Sequence, residues 1–168
     1  MPPPPIANFC QRCDQAARES CTRGLRRLFD YWDAKRASTA FPGRAFPSRA
    51  DIDPIEICSL LPHVFLIDVL PGAQPGLPDF RFRLTGTTVD EIHGQSLTGK
   101  SPTDIRTPEI ALAAERQCRR VIQSRAPCCD HVTLLARDDS FWHFERLMLP
   151  LSGDGSRIDM LLCGIYAA

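Results

Sequence analysis

The chain has 168 residues, 43% of them apolar and 24% charged, which is the composition of a globular domain and excludes wholesale disorder. Lys and Arg total 20 against 20 Asp and Glu, yet residues 1–50 hold 9 basic and 4 acidic side chains, so the remainder is net acidic by 5. A slightly acidic body argues against a nucleic-acid-binding domain, which needs clustered Lys and Arg, and no apolar run reaches the ~18–20 residues of a membrane span.

The opening Met1-Pro2-Pro3-Pro4-Pro5 lacks the basic and apolar regions of a secretory signal. The expected location is the cytoplasm, where eight cysteines are thiols, metal ligands or redox groups and not lasting disulfides. A polyproline stub at 2–5 precedes a proline-free stretch from Asn8 to Ala37. There Leu25, Leu28, Phe29 and Trp32 keep the i, i+3, i+4, i+7 spacing of an amphipathic helix, and Cys10, Cys13, Ala17 and Cys21 extend the stripe backwards. Gly24 weakens a helix by ~1 kcal/mol relative to Ala, so the stretch reads as one helix or as two. As one helix of about 25 residues it would span ~37 Å, more than a small domain can cover. The stripe is therefore the expected seam of a homodimer. Its rival is a pair of short helices folded back on the body.

A loop with Pro42, Gly43 and Pro47 leads to Asp53-Pro54-Ile55-Glu56, which has the cap, first-position proline and capping-box acid of a helix start. That helix is expected to end before Pro62. Residues 64–70 read as a buried strand, 71–78 as a turn-rich connection, and Phe80-Arg81-Phe82-Arg83-Leu84 as an alternating strand. Thr87 opens a turn of helix to His93, with Gly94 at its left-handed end position. The Ser101-Pro102 and Thr107-Pro108 pairs repeat the cap-then-proline pattern. Ile110, Ala113, Ala114, Gln117, Cys118, Val121 and Ile122 mark a long helix to about Ser124. Strands at 129–137, 141–151 and 157–166 close the chain, the last two joined at Ser152-Gly153-Asp154-Gly155.

The order after residue 62 predicts an α+β fold: a five-stranded antiparallel sheet with helices on one face, preceded by the N-terminal amphipathic helix. Residues 1–40 are the expected arm and 41–168 the expected domain. Phe46-Pro47-Ser48-Arg49-Ala50-Asp51-Ile52-Asp53-Pro54, Leu60-Leu61-Pro62-His63-Val64, Phe80 to Thr87, Leu97-Thr98-Gly99-Lys100 and Phe144 to Leu151 resemble a family of small bacterial stand-alone PAS-like proteins. The resemblance covers roughly residues 28–166. It implies the PAS fold and a sensory domain without catalytic output, which works through a small molecule, a signalling partner or a second copy. Entry helices commonly mediate dimerisation in PAS proteins, so the resemblance points to the same seam.

The same resemblance tests cofactors. Flavin-binding light sensors carry a cysteine motif on a short helix, and 87–106 has no cysteine. Haem-binding members usually supply a histidine from the long helix, and 107–125 has none. Flavin and haem are both disfavoured. The candidate pocket for a small apolar ligand is a shared apolar face of Phe80, Phe82, Leu84, Val132, Leu134, Leu147, Leu149, Met160 and Leu162, turned toward the 87–122 helices. A fully packed core is its alternative. Arg81, Arg83, Glu145 and Arg146 are candidates for a polar partner face, against a solvated, salt-bridged surface worth little.

Cys10-x-x-Cys13 with Cys21 suggests a metal, but the second ligand pair of a structural zinc site is missing, and small apolar seam residues explain the three more simply. A metal-dependent enzyme built on His131, His143, Cys128 and Cys129 is the alternative function. Zinc-deaminase chemistry is excluded because His143-Phe144-Glu145 follows Pro127-Cys128-Cys129 in the wrong order.

Overall fold

The computed structural model describes residues 22–38, 44–135 and 140–168. Cys10, Cys13, Ala17 and Cys21 lie outside them. Helix α1 (Arg23–Ala37) comes first. Short 3-10 turns at Arg49–Asp51 and Cys58–His63 lead into strands β1 (Val64–Gln74) and β2 (Leu77–Thr85). Helix α2 (Thr87–His93), a 3-10 turn at Pro102–Asp104 and helix α3 (Pro108–Ser124) form the crossover. Strands β3 (Cys128–Leu135), β4 (Phe141–Leu151) and β5 (Met160–Ala167) complete one sheet in the order β2-β1-β5-β4-β3. Every pairing is antiparallel.

Local chemistry accounts for most of these elements. Gly94 ends α2 at φ 61°, a left-handed position that costs glycine nothing. Ser101 closes a capping box with Asp104, and Pro108 takes the first turn of α3. The 71–78 segment, expected as a loop, instead prolongs both strands to Gln74 and from Leu77, because Pro75 and Gly76 (φ 79°) suffice for the turn. Asp53-Pro54 starts turns and no α-helix. Pro62 lies inside the 3-10 turn Cys58–His63, against the expectation that the helix would stop before it. The i→i+3 bonds of so short a turn place less demand on the backbone that Pro62 disturbs.

The sheet is covered on both faces. Facing pairs share a side of an antiparallel sheet, and the registers set two sets of residues. The inner face, toward α2 and α3, carries Phe65, Ile67, Phe80, Phe82, Val132, Arg146, Met148 and Cys163. The Cys118 thiol of α3 lies 3.7 Å from Met148 Sδ, and the Arg119 guanidinium 5.5 Å from the Phe80 ring centre. Helix α1 covers the outer face of β4 and β5. A Cβ on Gly164 would stand 2.8 Å from Leu28 Cδ2 and 3.0 Å from Leu25 Cδ2, so a glycine permits this approach. Trp32 Nε1 donates to the Pro150 carbonyl at 2.9 Å. Tyr31 donates to Glu56 at 2.8 Å and accepts from the Asp53 amide at 2.8 Å, while Lys35 pairs with Glu56 at 2.7 Å, tying α1 to the 53–56 turn.

Leu25, Leu28, Phe29 and Trp32, expected at a dimer seam, are therefore buried within their own chain. The reason is geometric: the described helix is 15 residues long, about 22 Å, short enough for one sheet to cover its apolar stripe.

Candidate functional site

The expected pocket face divides between the two sides of the sheet. Phe80, Phe82 and Val132 face inward. Leu147, Leu149, Met160 and Leu162 face outward, and Leu134 is described only by its backbone, which pairs with Trp142. Leu84 also turns outward, because a bulge intervenes: Leu66 pairs with Leu84, but the adjacent Ile67 pairs with Phe82. The extra residue, Arg83, shifts the pleat, so Leu84 is 53% exposed. Strands covered on both sides show no alternation between apolar and polar residues, so patterning alone could not assign β4 and β5 to a face.

Two of these residues, Leu84 and Leu162, do line a cleft, on the outer face. It has a volume of about 460 Å³, with Val64, Leu66, Leu84 and Leu162 as its floor and Ile52, Ile57, Leu61 and Pro62 as its wall. Arg49, Cys58, Thr85 and Thr87 supply the polar rim. The Arg49 guanidinium is held by the Ile52 carbonyl at 3.0 Å. The size and apolar lining suit a small molecule.

A second cleft lies near the same strand ends, between His63, Ile92, Phe141, Trp142 and Ala167. Phe141 and Trp142 are 65% and 52% exposed there. The His63 ring stacks on Tyr166 at 3.9 Å.

The four polar candidates separate as well. Arg81 and Arg83 are exposed and share the buried Asp68 at 3.5 Å and 3.3 Å. Glu145 and Arg146, expected on a polar face, are 5% and 2% exposed, because α1 covers one side of β4 and α3 the other. Glu145 accepts the Thr22 amide at 2.5 Å, at the start of α1. Arg146 points the other way. Its Nε donates to Gln117 Oε1 at 2.6 Å, and Gln117 Nε2 donates to the carbonyls of Cys128 (3.1 Å) and Arg146 (2.8 Å). Arg146 Nη2 is buried with no hydrogen-bond partner.

This inner polar cluster was missed in the sequence. Gln117 interrupts the apolar stripe of α3, and Arg146 stands in the apolar run 144–151; both are the buried-polar anomalies that carry information. Cys118 and Cys163 adjoin the cluster, and burial pushes the Cys118 thiol up to about 12 and that of Cys163 well above its usual value.

The residues of the metal-enzyme alternative are dispersed. Cys128 faces inward and Cys129 outward; His131 pairs across the ladder with Glu145, and His143 with Thr133. Among the described residues no group of three His, Cys, Asp or Glu side chains has a metal-binding arrangement.

The sequence profile of the PAS domain matches residues 21–167. The chain belongs to the PAS-domain family, and the match takes in α1. No curated protein matches it. Among solved structures, VqmA bound to DPO, a Vibrio cholerae protein, aligns at 14% identity and TM-score 0.52 over 68% of this chain and 56% of that one. This chain thus spans little more than half of VqmA. The PAS domain of a Colwellia psychrerythraea protein aligns at 10% identity and TM-score 0.46, over 68% of this chain and 95% of that one. A light-oxygen-voltage domain studied with a flavin analogue aligns at 16% identity and TM-score 0.48, over 69% and 86%. At these identities the likeness is one of fold. The family and fold are those of a sensory module, and among the described residues no helix is long and apolar enough to cross a membrane.

Proposed function

We propose that this protein is a non-catalytic, cytoplasmic sensory module that binds a small apolar molecule in the outer cleft and reports its occupancy to a signalling protein. The observation that supports this reading is the cleft of about 460 Å³. It is floored by three strands and walled by the 52–62 segment, which also holds α1 through Tyr31 and Glu56. A ligand that moved this segment would move the contacts of α1, and so change the surface a partner reads. Flavin and haem are not the ligands on this reading, since 87–106 has no cysteine and 107–125 no histidine. The working unit is a homodimer, joined through surfaces other than the buried stripe of α1.

Native mass spectrometry of the full chain, with thermal shift across a metabolite panel, tests the ligand. We expect a co-purified or added apolar compound that stabilises the wild type and not Leu84→Glu, which places a carboxylate on the cleft floor. A panel without effect on the wild type, or an equal effect on the variant, overturns the assignment. Light scattering tests assembly: twice the chain mass is expected, and a monomer at micromolar concentration refutes the dimer.

A further inference from the structure

The outer cleft is apolar at one end and basic at the other. The register sets its long axis: Val64 faces Gly164, Leu66 faces Leu162, and one pleat further Asp68 faces Met160, all on the outer side of the sheet. Leu61, Pro62 and Gly86 bound the Val64 end and carry no charge. At the other end Asp68 is buried, and Arg81 and Arg83 share it at 3.5 Å and 3.3 Å. Two guanidiniums there divide one carboxylate.

A third guanidinium stands at the same end. The wall of the cleft runs alongside α1, where Tyr31 accepts the Asp53 amide at 2.8 Å and Arg27 donates to the Ser59 hydroxyl at 3.2 Å. Its 49–52 start therefore lies toward Trp32, which bonds the Pro150 carbonyl, and Pro47 accepts the Ser152 amide just beyond Leu151, the partner of Met160. Among the described residues that line the cleft, Arg49 alone is charged. Its Nη1 is bound to the Ile52 carbonyl at 3.0 Å, and among the described residues Nε and Nη2 meet no acceptor. The acids nearby are engaged elsewhere. Asp51 accepts the Ser48 amide and hydroxyl, Asp53 the Ile55 amide, Glu56 pairs with Lys35, and Asp159 accepts the Gly153 amide.

We propose that the ligand of this cleft is an alkyl carboxylate, a free fatty acid of medium chain length. Its chain lies along Leu66, Leu84 and Leu162, and its head group meets Arg49 at the rim. The proposal rests on the outer cleft as the binding site and adds a charged end to the apolar molecule that fills it. An open guanidinium edge binds one carboxylate well. At the rim the head group keeps much of its water, while the chain gains from burial on the apolar floor. Arg81 and Arg83 raise the potential at the basic end and draw an anion to it. A phosphate or a dicarboxylate would bring a second negative charge to a lining that holds a single cation.

Decanoate and decan-1-ol, each below micelle formation, are titrated into the full chain. Calorimetry gives the affinities, and the methyl signals of Leu84 and Leu162 in carbon-edited NMR spectra locate the ligand. Decanoate is expected to shift both residues saturably and to bind about tenfold tighter than the alcohol, the gain of one charge-assisted contact. Arg49→Gln should remove that difference and leave the alcohol unaffected, and added sodium chloride should weaken decanoate alone. The two wild-type affinities decide even if the variant fails to fold. Equal affinities for acid and alcohol, both lost in Leu84→Glu, overturn the proposal and leave the outer cleft standing as a site for neutral ligands. Decanoate that binds without moving Leu84 and Leu162 lies elsewhere and overturns it too. So does a wild type that takes up neither compound, in which case the metabolite panel decides the cleft by itself.

Discussion

His93 is held by the Val89 carbonyl, 2.8 Å from Nδ1, on the inner side of α2. Burial, with the nearby Arg146 charge, lowers its proton affinity below the usual 6.5, despite the opposing effects of the Val89 carbonyl and Asp90. The unfolded chain therefore binds a proton that the folded chain refuses. The sign follows: the His93 contribution is complete above ~6.5 and is lost as pH falls through the window below it. Urea unfolding at about pH 7 and about pH 5 should show a smaller acid loss for His93→Gln than for the wild type; equal losses would refute this. Thiol reactivity separates by the same burial. Cys58 is exposed and Cys118 enclosed, with the Cys118 thiol pushed up to about 12. Brief iodoacetamide treatment followed by peptide mapping should find Cys58 alkylated and Cys118 untouched until the protein unfolds. Early alkylation of Cys118 would show that the inner face opens readily.

At the scale of elements, the approach of α1 to β5 depends on the missing side chain of Gly164. Gly164→Val would force Leu25 and Leu28 from their places, and overpacking of this kind costs about 1–3 kcal/mol. Trp32→Ala removes a buried ring and its bond to the Pro150 carbonyl, a change that typically costs about 3–5 kcal/mol. Both are measured by chemical denaturation. A Gly164→Val protein as stable as the wild type would mean that α1 is loosely seated. The bulge in β2 is a second such feature. By placing Leu84 beside Leu66 it supplies one of the four residues of the cleft floor, and without it Leu84 would point toward the helices.

For the whole molecule, the sheet has two covers of different kinds. Helices α2 and α3 belong to the crossover and cannot be removed without breaking the sheet order. Helix α1 precedes the sheet and covers β4 and β5 from outside, with Leu25 and Leu28 over Gly164 and Trp32 at Pro150. Removal of residues 1–37 should therefore leave a sheet with an exposed apolar face, seen as dye binding and association in light scattering. A truncated protein that stays monodisperse and equally stable would show that α1 is dispensable to the fold.

The amino-acid sequence by itself determined the five strands and the helices α1, α2 and α3, but not the turns at 53–56 or the length of the β1–β2 hairpin. Alternation in 80–84, the apolar stripes of α1 and α3, and the Ser101 and Gly94 end positions are local signals, each readable within a few residues. It also pointed to one antiparallel sheet, from two strands, a helical crossover and three strands, but not to the strand order β2-β1-β5-β4-β3. The faces were decided only by tertiary structure. A one-residue bulge at Arg83 reversed Leu84, and the cover on both sides of β4 turned Glu145 and Arg146 from expected surface charges into buried ones. Register and burial are relations between segments distant in sequence: Arg146 meets Gln117 from 29 residues away. No local pattern records that its cross-strand neighbour Asp130 is already held by Arg120.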